Sequence, residues 1–390
     1  MHEQGFGRRT RVGVVLGTRP EVIKLAPVVA ALRAHHRYEP VVISTGQHRQ
    51  LLDQLLGLFE IEPDVDLDLM VEGQSLSALA GRALQCIGGA LERLSVDVLV
   101  VQGDTTTTMA GAMAGFYQGV PVAHVEAGLR TDDRYSPYPE EVNRRTVTQF
   151  ADLHLAPTQR AADRLLAEGV DPGRVRVTGN TVVDALFDTI RRDHPFGGPD
   201  AAVLEAAAAT PGPLLLVTAH RRESWDGGLA AIASAVAALV ADHPGLTVVF
   251  PVHPNPTVRT AVLPVLASLD RVLLTEPLGY SDFVRMLRRS DLVLTDSGGI
   301  QEEACSLGIP TLVARDTTER PEGAEAGGLL LVGTDGGRIR TEAGRLLTDP
   351  DAYNGLVCTS FPFGDGRAAA RIIDHLAVLA PQRSDHIKSA

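Results

Sequence analysis

Four ionisable side chains stand where acid–base chemistry could use them. Asp104 closes the apolar run DVLVVQGD, Glu126 closes VPVAHVEAG, and Glu140, followed by Glu141, comes after the proline-rich loop YSPYP. In the second half, His220 closes LLLVTAH and is followed by Arg221-Arg222-Glu223. One carboxylate at a strand end is commonly just a helix cap. Three of them, with a histidine at the corresponding place in the other half, suit a cleft where crowded acids differ in protonation, one donating while another accepts. His253, in PVHPNP, makes a weaker case, and His48, in TGQHRQ, an intermediate one.

Two further stretches have the makings of an anion grip. In Gly17-Thr18-Arg19-Pro20-Glu21-Val22-Ile23-Lys24 a strand runs into a glycine turn, and Arg19 and Lys24 flank the start of a helix. Unsatisfied N–H groups and the helix dipole favour an anion there, and the two cations add formal charge. The stretch is neither GxxxxGK[ST] nor GxGxxG. In Asp296-Ser297-Gly298-Gly299-Ile300-Gln301-Glu302-Glu303 the glycines admit a ligand close to the backbone, and Ser297 can cap the helix or donate to phosphate. Glu303, about one turn in, could accept from both ribose hydroxyls. The blander alternatives are a tight turn with solvated charges and a capped helix with an acidic first turn. No HExxH, HxH, Cys/His cluster, EF-hand or GxSxG occurs, so neither a metal site nor a serine nucleophile is expected, and no cofactor.

Such residues need rigid elements behind them. Short β-rich runs alternate with helical stretches, which predicts βαβ units and parallel sheets. The first half reads as strands at Val12–Leu16, Pro40–Ser44, Val98–Gln102, Val120–Val125, Leu153–Ala156 and Val175–Thr178, with helices such as Val22–His35, Ser75–Leu94 and Thr106–Gln118. A polar, turn-rich stretch puts a domain boundary within Asp184–Pro211. The second series runs Leu214–Thr218, Thr247–Pro251, Val272–Leu274, Leu292–Thr295, Thr311–Val313 and Gly328–Val332. The expected fold is α/β, with two Rossmann-like doubly wound domains: residues 1–186, and residues 187–365 carrying the nucleotide. The C-terminal helix, 366–380, is expected to rejoin the first domain. Ligands of doubly wound sheets lie beyond the carboxyl ends of the strands. Nearly every charged loop here follows a strand, so the expected site is one cleft shared by both domains.

The 390-residue length suits two domains. A formal net charge of −12 argues against a nucleic-acid or membrane-surface binder, which would need a broad basic face. Cys86, Cys305 and Cys358 show no paired spacing, which suggests a reducing compartment. No apolar run reaches the roughly 18 residues of a membrane helix, and the apolar run near the start is short, with no small-residue cleavage site. A cytoplasmic protein is expected.

GTRPEVIKLAPV, TGQHR, VQGDTTT, HVEAGLRT, YSPYPEEVNRR, TGNTVVDAL, HRRES, PVHPNP, TDSGGIQEEA, RDTTERPEG and VGTD, in this order, resemble the non-hydrolysing UDP-N-acetylglucosamine 2-epimerases from about Arg11 to His375. The resemblance implies a GT-B-like fold, a homodimer, and interconversion of UDP-GlcNAc and UDP-ManNAc. On the matching positions it implies that Arg19 and Lys24 meet diphosphate or sugar, that Asp104, Glu126, Glu140 and His220 form the catalytic set, and that Ser297, Gly298, Gly299 and Glu303 hold phosphate and ribose, with Phe283 and Arg320 near the nucleotide. Gln47, His48 and Gln74 resemble positions that hold a second, activating UDP-GlcNAc. The chain departs from the family at Phe361, where Asn is usual, at Gly327-Gly328, where Gly-Thr is usual, and around Gln74, which lacks an Arg seen in some members.

The C2–H of such a sugar is not acidic, so the sensible route first expels UDP and then removes the C2 proton to give a 2-acetamidoglucal. Protonation on the other face and return of UDP complete the epimerisation. Asp104 and either Glu126 or Glu140 are expected to move protons, and His220 to stabilise phosphate. A UDP-sugar glycosyltransferase, a hydrolysing epimerase and a silent nucleotide-sugar sensor are the competing readings.

Overall fold

The strands and helices assemble into two parallel sheets in the computed structural model, which describes residues 8–46, 49–71, 73–131, 133–221, 225 and 227–379, with the backbone only at 49–51. The chain divides into one compact unit formed by Met1–Ala185 and Gly364–Ala390 and a second formed by Leu186–Phe363.

The first unit runs β1 (Thr10–Leu16), α1 (Arg19–Ala34), β2 (Tyr38–Ser44), α2 (Arg49–Leu58), β3 (Val65–Asp66), α3 (Leu76–Arg93), β4 (Val98–Gln102), α4 (Thr106–Tyr117), β5 (Val122–Val125), α5 (Glu140–Phe150), β6 (Leu153–Ala156), α6 (Gln159–Ala167) and β7 (Val175–Val177). Helix α7 (Thr181–Arg192) carries the chain out of this unit. The strands pair in the order β3-β2-β1-β4-β5-β6-β7, all parallel. Their runs of Val and Leu are buried on both faces, as a parallel sheet covered by helices requires: Val12, Val14, Leu99 and Val101 are all at 0% exposure.

The second unit runs α8 (Ala201–Ala209), β8 (Leu214–Thr218), α9 (Gly228–Asp242), β9 (Thr247–Pro251), α10 (Pro256–Leu266), β10 (Val272–Thr275), α11 (Tyr280–Arg289), β11 (Leu292–Thr295), α12 (Gly298–Ser306), β12 (Thr311–Val313), α13 (Pro321–Glu325), β13 (Leu329–Leu331), α14 (Gly336–Thr348) and α15 (Pro350–Asn354). Its parallel sheet has the order β10-β9-β8-β11-β12-β13.

After Phe363 the chain re-enters the first unit, where α16 (Ala368–Leu376) packs on α1. Asp184 of α7 accepts from the N–H groups of Ala368 (3.1 Å) and Ala369 (2.9 Å), so a side chain far away in sequence supplies the cap that this helix start lacks locally. Helix α1 begins at Arg19, three residues before the position expected from apolar periodicity. Glu21 explains the earlier start: its carboxylate accepts from the N–H groups of Gly17 and Thr18, which stabilises the extra turn.

Candidate functional site

In each sheet the strand order reverses at one point, between β1 and β4 in the first and between β8 and β11 in the second. Neighbouring connections leave on opposite faces there, opening a crevice beyond the strands' carboxyl ends. Of the residues singled out in the sequence, Arg19 and Asp104 follow β1 and β4 at the first point, and His220 and Ser297–Gly299 follow β8 and β11 at the second.

In the first unit the loops after β1 and β4 are tied together by Glu21. Besides the two backbone groups it accepts from Thr105 Oγ1 (2.5 Å) and Thr108 Oγ1 (3.0 Å). Burial raises the Glu21 pKa above the usual carboxylate value, opposed by these hydrogen bonds. Lys24, a turn into α1, reaches across to Glu126 after β5, with Nζ 2.6 and 2.7 Å from its two oxygens. Asn180 Nδ2 adds a third bond at 2.9 Å and Gln102 Nε2 a fourth. Glu126 is 7% exposed and adopts a left-handed backbone at φ +63°. That conformation is unfavourable for a residue with a side chain, and several side-chain donors offset its cost.

Asp104, after β4, is held differently. Arg144 on α5 donates to its carboxylate and Asn143 Nδ2 donates to its backbone carbonyl at 2.9 Å, while the Asp104 side chain stays 26% exposed. Glu140 opens the same helix one turn before Arg144, so the two lie on one face. The adjacent Glu141 is fully buried and structural: it accepts from the Thr131 N–H (3.0 Å) and from Arg145 Nε (2.7 Å). His124 secures the turn before Asp104, its Nε2 lying 2.7 Å from the Gly103 carbonyl. Burial holds the His124 imidazole down at a pKa of about 4, so it is neutral.

In the second unit the crevice is tied by Asp296, which sequence reasoning left without a role. Its Oδ2 accepts from the N–H groups of His220 (2.6 Å) and Arg221 (2.7 Å), and its Oδ1 lies 3.0 Å from His220 Nδ1. Burial pushes this carboxyl up, but the bonds from His220 and the backbone outweigh it and hold Asp296 below the usual range. The His220 ring is 40% exposed and is stacked on His253, with centroids 5.6 Å apart. His253, the weaker candidate, is therefore part of this cluster.

Ser297 precedes α12, whose first residues are Gly298 and Gly299. The Arg320 guanidinium lies against Gly298, where a Cβ would sit 2.5 Å from its NH1. A side chain at this position would push the guanidinium away, so the glycine lets that cation approach the helix N-terminus and the two features combine into one anion-attracting corner. Arg320 Nε is anchored by Glu302 (2.6 Å), and Glu303 accepts from Tyr280 OH (2.8 Å). Phe283 is 8% exposed within an apolar cluster with Leu278, Met286 and Leu287. Gln74 lies before α3 and its Nε2 contacts Met70 Sδ at 3.5 Å, whereas Gln47 and His48 lie outside the described residues. Among the described residues no group of three or more His, Cys, Asp or Glu could hold a metal ion, and no helix is long and apolar enough to cross a membrane.

The two units should differ in acid sensitivity. His124 and His154, at about 4 and about 3 when folded, take up protons more readily unfolded, so the first unit loses stability as pH falls from 6.5 through these values. Glu319 is held down at about 2 by Arg320 and Arg315, which outweigh burial, so its contribution to the second unit is present above 4.5 and lost toward pH 2. At 1.36 kcal/mol per pKa unit the His124 and Glu319 shifts are each worth about 3 kcal/mol. Hydrogen exchange against pH should show the first unit opening first, with the His124→Gln variant flatter between pH 6.5 and 4. Simultaneous opening of both units near pH 3 would contradict the assignment.

Two parallel α/β sheets with charged loops at their switch points place this chain in the GT-B-like class. It belongs to the UDP-N-acetylglucosamine 2-epimerase family, whose model matches residues 30–377. A UDP-N-acetylglucosamine 2-epimerase of Yersinia pestis is 49% identical over 370 residues, spanning 94% of this chain and 98% of the relative. The crystal structure of the Neisseria meningitidis UDP-GlcNAc 2-epimerase bound to UDP-GlcNAc superposes with a TM-score of 0.88 at 40% identity, covering 95% of this chain and 100% of that one. The Methanocaldococcus jannaschii enzyme in complex with UDP-GlcNAc and UDP gives 0.80 at 31% identity, with coverage of 95% and 100%.

Proposed function

We propose that the protein reversibly epimerises UDP-N-acetylglucosamine at C2 to UDP-N-acetylmannosamine, by elimination of UDP to a 2-acetamidoglucal and re-addition. The observation that carries the reading is the contrast between Glu126, engaged by Lys24, Gln102 and Asn180, and Asp104, partly open and paired with Arg144. In the first step the C1–O bond breaks and its electron pair leaves with the diphosphate. A base then takes the C2 proton and a C1–C2 double bond forms. In the reverse sense an acid protonates C2 from the opposite face and the diphosphate oxygen returns to C1.

Asp104 and Glu140 are the pair that moves these protons, because Glu126 already accepts from several donors and is better suited to stabilising positive charge at C1. Arg19, Lys24, the start of α12 at Ser297–Gly299 and Arg320 retain UDP while it is detached, and His220, oriented by Asp296, donates to phosphate. Glu303, steadied by Tyr280, accepts from ribose, and Phe283 borders the nucleotide.

Incubation with UDP-GlcNAc in D₂O without an acceptor tests the reaction. Deuterium at C2 of both UDP-sugars, read by NMR, is expected. Free N-acetylmannosamine with UDP would show a hydrolase instead, and absence of exchange would leave a glycosyltransferase or a sensor.

The resemblance further suggests a cytoplasmic homodimer and a second, activating UDP-GlcNAc near Gln74. Exposed Phe116 (54%) and Tyr117 (56%), at the end of α4, suit a self-association surface. Light scattering should give twice the chain mass, and Phe116→Glu should reduce it; a wild-type monomer would discard the dimer. Sigmoidal initial rates that become hyperbolic in Gln74→Ala would support the second site, and hyperbolic wild-type rates would remove it.

A further inference from the structure

We infer that Cys305 and Cys358 form an oxidisable dithiol, a modification site for small peroxides that closes an intrachain disulfide within the second unit. Their sulfurs lie 2.7 Å apart although the residues are 53 positions apart in sequence. That separation is inside van der Waals contact for two sulfur atoms, and little movement separates it from the bonded distance of about 2.05 Å. Both residues are buried, Cys305 at 1% and Cys358 at 8% exposure, and Cys358 Sγ also lies 3.0 Å from the Ser360 carbonyl. Neither takes part in the proposed reaction.

The juxtaposition depends on Gly328. A Cβ built there would sit 2.7 Å from Cys358 Cβ, 3.1 Å from Cys305 Sγ and 3.4 Å from Cys358 Sγ. Gly328 cannot easily withdraw, because its carbonyl accepts from the Thr311 N–H (3.2 Å) and its own N–H donates to the Gly323 carbonyl (3.0 Å). The glycine that replaces the more usual threonine therefore makes the space in which the two thiols meet.

The chemistry balances with a peroxide as oxidant. The Cys358 thiolate attacks a peroxide oxygen, so an S–O bond forms, the O–O bond breaks and hydroxide leaves. The Cys305 sulfur then attacks Cys358, forming the S–S bond, breaking S–O and releasing water with the remaining protons. Two thiols are oxidised by two electrons and hydrogen peroxide is reduced to two waters. Cys358 is the more exposed of the two and meets the peroxide first, which leaves Cys305, in contact with its sulfur, as the resolving thiol. The product joins the last turn of α12, the helix that carries Gly298, Gly299 and Glu303, to the segment leading to Gly364, where the chain returns to the first unit.

The test treats the full-length native protein with hydrogen peroxide, alkylates it in denaturant, digests it without reductant and maps the peptides by mass spectrometry. The expected product is a Cys305–Cys358 cross-linked peptide, reversed by dithiothreitol, with Cys86 still alkylated. In Cys305→Ser, Cys358 should instead be trapped by dimedone as the sulfenic acid. Gly328→Thr should slow cross-linking by tenfold or more, with its fold checked by circular dichroism. Oxidation confined to Cys86, or cross-linking only after denaturation, would overturn the proposal.

Discussion

Asp104→Asn is expected to lower turnover of UDP-GlcNAc by about 10²–10⁴-fold, the usual worth of one positioned proton-transfer group. In free energy this is roughly 3–5 kcal/mol of transition-state stabilisation. The substitution keeps the side chain's shape. The Asn143 bond survives because it goes to the Asp104 backbone carbonyl, and Arg144 retains Glu141 at 3.5 Å as a second carboxylate neighbour. The loss should therefore fall on kcat with little change in KM, and the Tm should move by only a few degrees. The direction of failure assigns the step. If Asp104 removes the C2 proton of UDP-GlcNAc, exchange from D₂O into that sugar stops and no glucal appears. If instead it returns a proton from the opposite face, glucal and UDP accumulate. Near-normal turnover in Asp104→Asn would refute either role.

What was legible in the sequence, and what was not, follows from where each residue's partners lie. Asp104, Glu126 and His220 were visible because each directly follows an apolar run, and in a parallel sheet such positions lie at the carboxyl ends of the strands. Their partners were not. Gln102 and Asn180 meet at Glu126 only through the order β1-β4-β5-β6-β7, and Asp296 meets His220 only because β11 lies beside β8. Strand order is a long-range property that local periodicity does not carry. Residue type and spacing do not tell the adjacent acids Glu140 and Glu141 apart; only the family resemblance singles out Glu140. Helix phase separates them, turning Glu141 inward onto Arg145 and Thr131. In the sequence Glu21 is one residue of an anion-binding turn. Its role in tying the β1 loop to Thr105 and Thr108 depends on the pairing of β1 with β4. The short β3, Val65–Asp66, leaves no mark in the sequence because two residues show no period.

Lys24→Met is expected to damage both stability and activity. Lys24 Nζ contacts both oxygens of Glu126, and the two side chains are 11% and 4% exposed. Removing one partner of a buried pair leaves the other charge uncompensated, at a cost typically of 3–5 kcal/mol. Gln102 and Asn180 continue to donate to Glu126, which favours the lower end, about 3 kcal/mol, or a Tm lower by roughly 6–12 °C. The Lys24→Met/Glu126→Gln double variant carries no unpaired charge and should recover most of that stability. It should not recover turnover, because both the cation proposed to hold the diphosphate and the carboxylate proposed to stabilise C1 would be gone. Stability and activity thus separate in one double-mutant cycle, with Tm and kcat measured on the same four proteins. A Lys24→Met protein as stable as the wild type would show that the pair contributes little to folding. A double variant that regained turnover would show that its purpose is structural and would move the catalytic burden to Asp104, Glu140 and His220.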